Sequence, residues 1–505
     1  MLAPLLIAGG CALLQRPRLL QASAPQSLRL AASPLAQVPA AAPAPAAAQP
    51  PASSGKKGKG RLNIRIDDEW YDLTNWRAAH PAGTHWIDAY NNSDATEVMY
   101  AFHSDKVHRI ATARPTRAAA HPPRRRRTPQ PPPCPPRRRP APPSGPHPHP
   151  HPPVQAISMF KRLPNSRAPP EGIAPPSAST YAFRELRQRL VEEGWFKIHP
   201  LGELQKLAPW SAVTAAGVWL ARRSGFWSAF AGVVCLAIGN SLAGWLSHDY
   251  VHGRQPFAWA MRGFGELIGG MSTTWWSNKH NMHHALTNEV GYDEDIALDP
   301  ALHLWAPDPR HDTLPWLRQW QHVYWPLPYS ILFLYWRFDS IRYVLKDKKW
   351  GEAARLAAHW AAFSALVPFR LLLASVWLSG LITATIVTVT HQSEEIFLGD
   401  TLRKYDFVEA QFRSTRDAKC NNWFSDVLWG GMQWQLEHHL FPTMPRYRYP
   451  ALSKVLAQFA SENDLTYRVT GEFKIIGDNV ALLKKIGQGP QQPGNPNSEP
   501  LFKQV

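Results

Sequence analysis

Seven of the 21 histidines fall into three tight clusters: His248 and His252 in HDYVH, His280, His283 and His284 in HNMHH, and His438 and His439 in QLEHH. On a helix, residues three or four positions apart project from one face, so each cluster directs imidazoles at a common point. A neutral imidazole nitrogen suits iron, copper or zinc, and seven such ligands are too many for one ion. Two metals are implied. One HxxxH on a helix is an ordinary coincidence. Three clusters beside apolar segments are not, because an imidazole near hydrocarbon has to be paired or metal-bound. Asp249, Asn281, Asp293, Asp295 and Glu437 lie within or beside the clusters and offer acceptors for the second ring N–H of a ligating imidazole. The sequence leaves their pairing open, and Asp293 and Asp295 read equally well as solvated loop acids.

The elements that must position these side chains are apolar. Segments near residues 209–220, 226–246, 356–369 and 371–390 lack charge or nearly so; only the last is a clean span of ~20 residues, enough to cross ~30 Å of hydrocarbon. Two Trp-rich stretches, 257–276 and 323–337, are interrupted by Arg262 and Glu266 or by Pro326 and Pro328, and read as interfacial helices. With that order of elements all three clusters emerge on one side of a membrane. The turn holding Arg222 and Arg223 then faces the other side, and Arg370 lies between two spans, both against the positive-inside tendency. The 22 tryptophans fit a membrane interface, where an amphipathic ring is stabilised at headgroup level.

Composition divides the chain further. Its 49 prolines in 505 residues are about twice the usual share, so it is a mixture of segments. Residues 1–66 hold 8 Lys/Arg and residues 107–155 hold 10, with no acid in either. The remaining 55 − 18 = 37 basic residues face 38 acidic ones, so the +17 is local and a nucleic-acid binder is excluded. Four cysteines, Cys11, Cys134, Cys235 and Cys420, form no CxxC, which excludes a disulfide scaffold or zinc ribbon. Residues 1–62 open on an apolar run, Met1 to Leu14, and continue rich in Ala, Pro and Ser. This is either a targeting peptide or an over-long start. Residues 107–155, with 17 prolines and two arginine blocks, hold almost nothing large and apolar that could build a core. A linker is expected at 166–180, a membrane domain at 181–485, and a tail without structure at 486–505.

The order HDYVH, then WWSNKHNMHH followed by Thr287, Asn288 and Asp293, then QWQLEHHLFPTMPR, resembles the membrane-bound fatty acyl desaturases over about residues 180–475, and the Gln opening the third box looks like their front-end branch. The resemblance implies a mainly α, four-helix membrane fold with interfacial helices and a cytosolic cap of histidine boxes. It also implies that His248, His252, His280, His283, His284, His438 and His439 bind a di-iron centre, and that Gln435 stands where other desaturases have His. His391 ends the strongest apolar segment in VTVTHQSEE; a similarly placed His is a ligand in relatives, and the plain alternative is a helix-end residue.

Residues 63–106 carry HPAG at His80 to Gly83 and, 23 positions later, His103 in DATEVMYAFHS. This resembles a cytochrome b5 domain, a small α+β fold whose two axial ligands to haem b would here be His80 and His103. Pro81 and Gly83 fit the tight turn, but Ala82 replaces a usual Gly and would weaken haem binding where φ is positive; His85 and His108 read as bystanders. Together the resemblances imply an O2-dependent desaturase with electrons delivered through the fused haem. The substrate would be a fatty acyl lipid, phospholipid-linked or acyl-CoA, already unsaturated, and the electron source cytochrome b5 reductase. The expected location is the endoplasmic reticulum, or a plastid membrane if residues 1–62 are a transit peptide. A sphingolipid long-chain-base desaturase shares these features, and an impaired membrane haem protein is the alternative from another class.

Residues 107–155 interrupt the b5-like region four positions after His103. Joining Lys106 to Ala156 gives AFHSDKAISMFKRLP, a helix-compatible continuation, so 63–106 and 156–165 are expected to form one domain. A Val107 codon begins GT and a Gln155 codon can end AG, so the segment reads as a retained intron; the competing reading is a basic linker attracted to anionic headgroups.

Overall fold

The computed structural model describes residues 61–67, 69–80, 84–103, 163, 165–166, 169–170, 173 and 175–495. The expectations for residues 1–60, for the 107–155 insertion, for Ala82 and for residues 496–505 lie outside the described residues.

Four short strands form the first unit. β1 (Asn63–Ile66) is central, antiparallel to β2 (Glu69–Asp72) and parallel to β3 (Ser93–Asp94); β4 (Asn165–Ser166) completes the order β3-β1-β2-β4. Strand alternation turns Ile64 and Ile66 to one face, where they are buried with Leu62, Leu73, Ile87, Tyr90, Val98 and Met99. β4 pairs Asn165 with Tyr71 and Ser166 with Trp70, so the chain beyond the proline-rich segment rejoins this sheet. Helix Thr96–Phe102 ends at His103, which has extended backbone.

The rest is helical. Pro200–Ala221 and Phe226–His252 pack as an antiparallel hairpin around Gly225, whose φ of 104° suits a residue without Cβ. Pro326–Lys346 and Phe369–Val389 pack along each other, and Phe369–Val389 also packs on Phe226–His252. At the closest approach a Cβ on Gly380 would lie 2.3 Å from the Ser330 carbonyl oxygen, so the helices meet there only because that position is bare. Phe226–His252 and Phe369–Val389, of 27 and 21 residues, are long and apolar enough to cross a membrane. Large apolar side chains point outward, among them Trp227 at 77% and Phe338 at 67% exposure.

Three local expectations change. The 257–276 stretch is two helices, Pro256–Gly269 and Thr273–Ala285. They are separated by Gly270 in the left-handed region and by Ser272, whose hydroxyl accepts from the Trp275 N–H as an N-cap. Glu266 is buried there and takes hydrogen bonds from Arg355 and from Thr273 Oγ1, which explains an acid in an apolar stretch. The 323–337 stretch belongs to a continuous 21-residue helix, because Pro326 and Pro328 sit in its first turn, where no intrahelical N–H bond is lost. Finally, helix Glu472–Gln488 runs past residue 486. The segment after it is tied to residues 306–318: Gln491 donates to Asp312, Gly494 N–H to Asp308 and Asn495 to the Ala306 carbonyl. Low-apolar composition predicted a loose tail, and specific polar partners hold its first ten residues instead.

Candidate metal centre

The three clusters and His391 converge from four separate elements. His248 and His252 occupy the last turns of Phe226–His252, and His280, His283 and His284 the last turns of Thr273–Ala285. His438 and His439 lie on the short helix Gln435–Leu440, and His391 in the turn after Phe369–Val389. All eight are buried. They sort into two groups: nitrogens of His248, His252, His280, His284 and His438 lie within 4.8 Å of one another, and so do those of His283, His391 and His439. The groups abut where the His284 and His439 rings stack with centroids 4.2 Å apart.

In the five-histidine group, His280 Nε2 is 2.7 Å from His248 Nε2 and 3.1 Å from His284 Nε2. One ring nitrogen holds one proton or one lone pair, so it cannot satisfy both neighbours. Among the described residues, His252 leaves both nitrogens without a hydrogen bond, and His438 Nε2 and the Nδ1 atoms of His248, His280 and His284 are likewise unsatisfied. Nitrogens of two further rings crowded at 2.7 and 3.1 Å from His280 Nε2, in a cluster where most other nitrogens lack partners, are what a cation would complete. Asp249 and Asp295 approach within only 4.0 Å of His248 Nδ1 and 3.8 Å of His280 Nδ1, too far for a hydrogen bond. Asp249 pairs instead with Lys206 and Arg446, and Asp295 with Lys279.

The three-histidine group is held differently. His283 Nδ1–H donates to Asp293 Oδ2 at 2.9 Å, and that oxygen also accepts from the Asn288 N–H. His391 Nδ1–H donates to the Ser414 carbonyl at 3.1 Å. The Gln411 amide donates Nε2 to the His284 carbonyl, which turns its Oε1 towards His439 Nδ1 at 2.9 Å. Each contact fixes a tautomer and leaves Nε2 facing inward as a lone pair. Gln435 Nε2 lies 3.0 Å from His391 Nε2, while its Oε1 is buried without a partner.

The electrostatics follow. Burial first, then neighbouring imidazoles, pushes the pKa values of His280, His284, His438 and His439 well below the ordinary value, and His391 is pushed down to about 3, so all stay neutral. Burial lowers His283 too, but the charge and hydrogen bond of Asp293 more than offset it, and the net shift is upward. Glu437, offered by the sequence as an acceptor, faces away: with Asp417 it receives the Tyr467 hydroxyl. Asn281 reaches Ser277. Of the five candidates only Asp293 bonds an imidazole. Gln411 and Ser414 hold histidines from an element that no spacing in the sequence ties to the boxes, while Thr287, three residues past the second box, reaches His439 of the third.

A cavity of about 130 Å³, open to the outside, ends on this centre. Trp245, Val251, Leu332, Phe333, Trp336 and Val387 line it, and His248, His280, His283, His391 and Gln435 form its polar end.

In the strand-built unit, His80 follows a 3-10 turn and His103 is 23 residues on. His103 Nδ1–H donates to the Met99 carbonyl at 2.9 Å, leaving Nε2 as a lone pair; burial pushes its pKa down to about 4, with His80 contributing in the same sense.

Residues 225–471 match the family described as fatty acid desaturase, and residues 53–118 the cytochrome b5-like heme/steroid binding domain. Residues 225–471 form a fatty acid desaturase domain. The desaturase is similar to a Delta(6)-fatty-acid desaturase of Caenorhabditis elegans, 26% identical over 86% of this chain and 98% of the relative. An acyl-lipid 8-desaturase of Rebecca salina is 27% identical over 84% and 91%, and a Delta(8)-fatty-acid desaturase of Euglena gracilis 26% over 80% and 90%. The b5-like domain implies haem, and the two buried histidine groups fit a di-iron centre.

Proposed function

We propose that this desaturase is a front-end enzyme, placing a double bond between an existing one and the carboxyl end of a polyunsaturated acyl chain. The observation that carries the reading is the apolar cavity ending on two abutting groups of buried, neutral imidazoles, with Gln435 beside His391 at its polar end. Relatives named Delta(6) and Delta(8) desaturases, each matched over most of its length, support it. The reaction removes two hydrogens from adjacent carbons while O2, two electrons and two protons yield two waters. Iron supplies the oxidising power when bound. His248, His252, His280, His284 and His438 would hold one ion, and His283, His391 and His439 the other; Asp293, Ser414 and Gln411 keep the second set pointing inward. The cavity wall excludes water and fixes which carbons reach the polar end.

His80 and His103 would hold the haem, with cytochrome b5 reductase as the electron source. The exposed apolar side chains on the long helices support a membrane domain; in this reading it has four spanning helices, Pro256–Gly269 at the interface, histidine boxes on the cytosolic side and a place in the endoplasmic reticulum. Residues 107–155 are an insertion in the b5-like domain; β4 pairing with β2 beyond it supports this. Deleting them is expected to raise haem occupancy without lowering desaturation, and a deletion that loses haem sinks the reading.

The test is a panel of polyunsaturated acids fed to a host expressing the full chain, with new double bonds mapped. A bond on the carboxyl side of an existing one is expected. A new bond only in sphingolipid bases, or none, overturns the proposal. In the same host His80→Ala is expected to abolish the reduced haem spectrum; persistent haem absorbance refutes its axial role.

A further inference from the structure

The b5-like domain does more than hang on a tether: it is packed against the helix that carries the second histidine box. At 100° per residue, His280, His283 and His284 share one face of Thr273–Ala285, while Met282 and Ala285 occupy the opposite face. That opposite face is buried in the core of the b5-like domain. Met282, Ala285 and Leu286 belong to one apolar cluster with Ile64, Ile87, Tyr90, Val98 and Met99, and the Tyr90 hydroxyl donates to the Ala285 carbonyl at 2.6 Å. A single helix thus separates the two cofactor sites.

One side chain crosses this boundary beside both. Phe102 immediately precedes His103, and its ring meets the His284 ring edge to face, with centroids 6.4 Å apart and planes at 85°. Its backbone is fixed from the desaturase side, where Arg254, two residues beyond His252, donates Nε–H to the Phe102 carbonyl at 2.7 Å and Nη1–H to the Val251 carbonyl at 2.7 Å. The Arg254 side chain is partly buried, and this desolvation pushes its pKa down to about 9. A guanidinium stem held between two carbonyl oxygens is a costly fixture, and it grips the residue before one cofactor ligand and the turn that carries another.

We propose that Phe102 is the contact through which electrons pass from haem to the five-histidine group, and that Arg254 is the positioning residue that holds it there. This rests on the reading of His103 as a haem ligand and His284 as an iron ligand. Each passage oxidises ferrous haem to ferric and reduces the iron centre by one electron; two passages supply the pair of electrons that one double bond requires. The arrangement replaces diffusional encounter by a fixed contact, so the ordering that a tethered donor would undergo at each turnover is already made.

The test uses the full chain loaded with haem and iron. Haem is reduced with limiting dithionite, mixed with O2 and acyl substrate, and its re-oxidation followed by stopped-flow absorbance. Phe102→Ala is expected to keep haem absorbance and iron content but to slow re-oxidation by roughly tenfold or more, since a misplacement of ~1 Å between reacting groups can cost on the order of 100-fold. Phe102→Tyr, which keeps the ring, should re-oxidise at the unaltered rate. Arg254→Gln lies outside the b5-like domain and tests the contact should Phe102→Ala lose haem; it too is expected to slow re-oxidation with haem retained. Unaltered re-oxidation in Arg254→Gln, or in a haem-loaded Phe102→Ala, overturns the relay. Product formed by Phe102→Ala when soluble cytochrome b5 is added supports a relay defect in an intact centre, whereas an unsubstituted enzyme that forms no product under any donor sinks the functional reading and not the contact alone.

Discussion

The two histidine groups lie side by side yet are held in opposite ways. In the group of three, each imidazole has its outer N–H fixed by a specific acceptor: Asp293, the Ser414 carbonyl or Gln411. In the group of five, only His438 has such a contact, 3.3 Å from the Tyr449 hydroxyl, and packing holds the rest, with the Trp276 ring stacked on His280. For every ring but His283, which shares a helix with His280 and His284 yet is held by Asp293, the difference follows from where the rings are anchored. Four of the five come from the last turns of two long helices whose backbones fix them. His391 and His439 come from a turn and a six-residue helix, which need side-chain partners to hold still.

Substitutions that remove a ring from either group should be most severe. His438→Ala removes an imidazole from the five and His283→Ala one from the three; both are expected to abolish product while haem absorbance persists. Normal turnover in either would break the assignment of that group. Next, Gln435→Ala should lose most activity and Gln435→His should retain more of it, because only His keeps a polar nitrogen opposite His391. Equal activity of the two would make Gln435 a bystander.

The comparison sharpens with the carboxylates. Asp293→Asn should weaken iron retention by about 10- to 100-fold, the usual cost of losing an acceptor behind a ligating imidazole, whereas Asp249→Asn should affect iron little and protein stability more. Iron titration against a chelator, read beside thermal unfolding, separates them; equal iron loss in both would erase the distinction between the groups. The smallest effect is expected from Thr287→Val. Thr287 shares His439 Nδ1 with Gln411, and Gln411 keeps its own orientation through the His284 carbonyl. Iron content should stay near the unsubstituted level, and a collapse would make Thr287 the true holder of His439.

Much of the site was legible without coordinates, because spacing of three and four residues is converted into direction by helix geometry alone. HDYVH and HNMHH needed only the assumption of a helix for their rings to converge, and seven imidazoles implied two ions. The family resemblance added His391, which reaches the group of three, and the HPAG and His103 pair. Prolines misled in 323–337, since their effect depends on whether they fall in a first turn or a helix interior, and that boundary is set by packing.

What the tertiary structure alone decided is the partition of eight histidines into five and three, the choice of Asp293 over four equally placed acceptors, and the seating of the b5-like core on the back of the second-box helix. Local sequence fixes which way a side chain leaves its own backbone. It carries no record of which distant element arrives opposite, and Gln411, Ser414, Phe102 and Arg254 matter only because the fold brings them there.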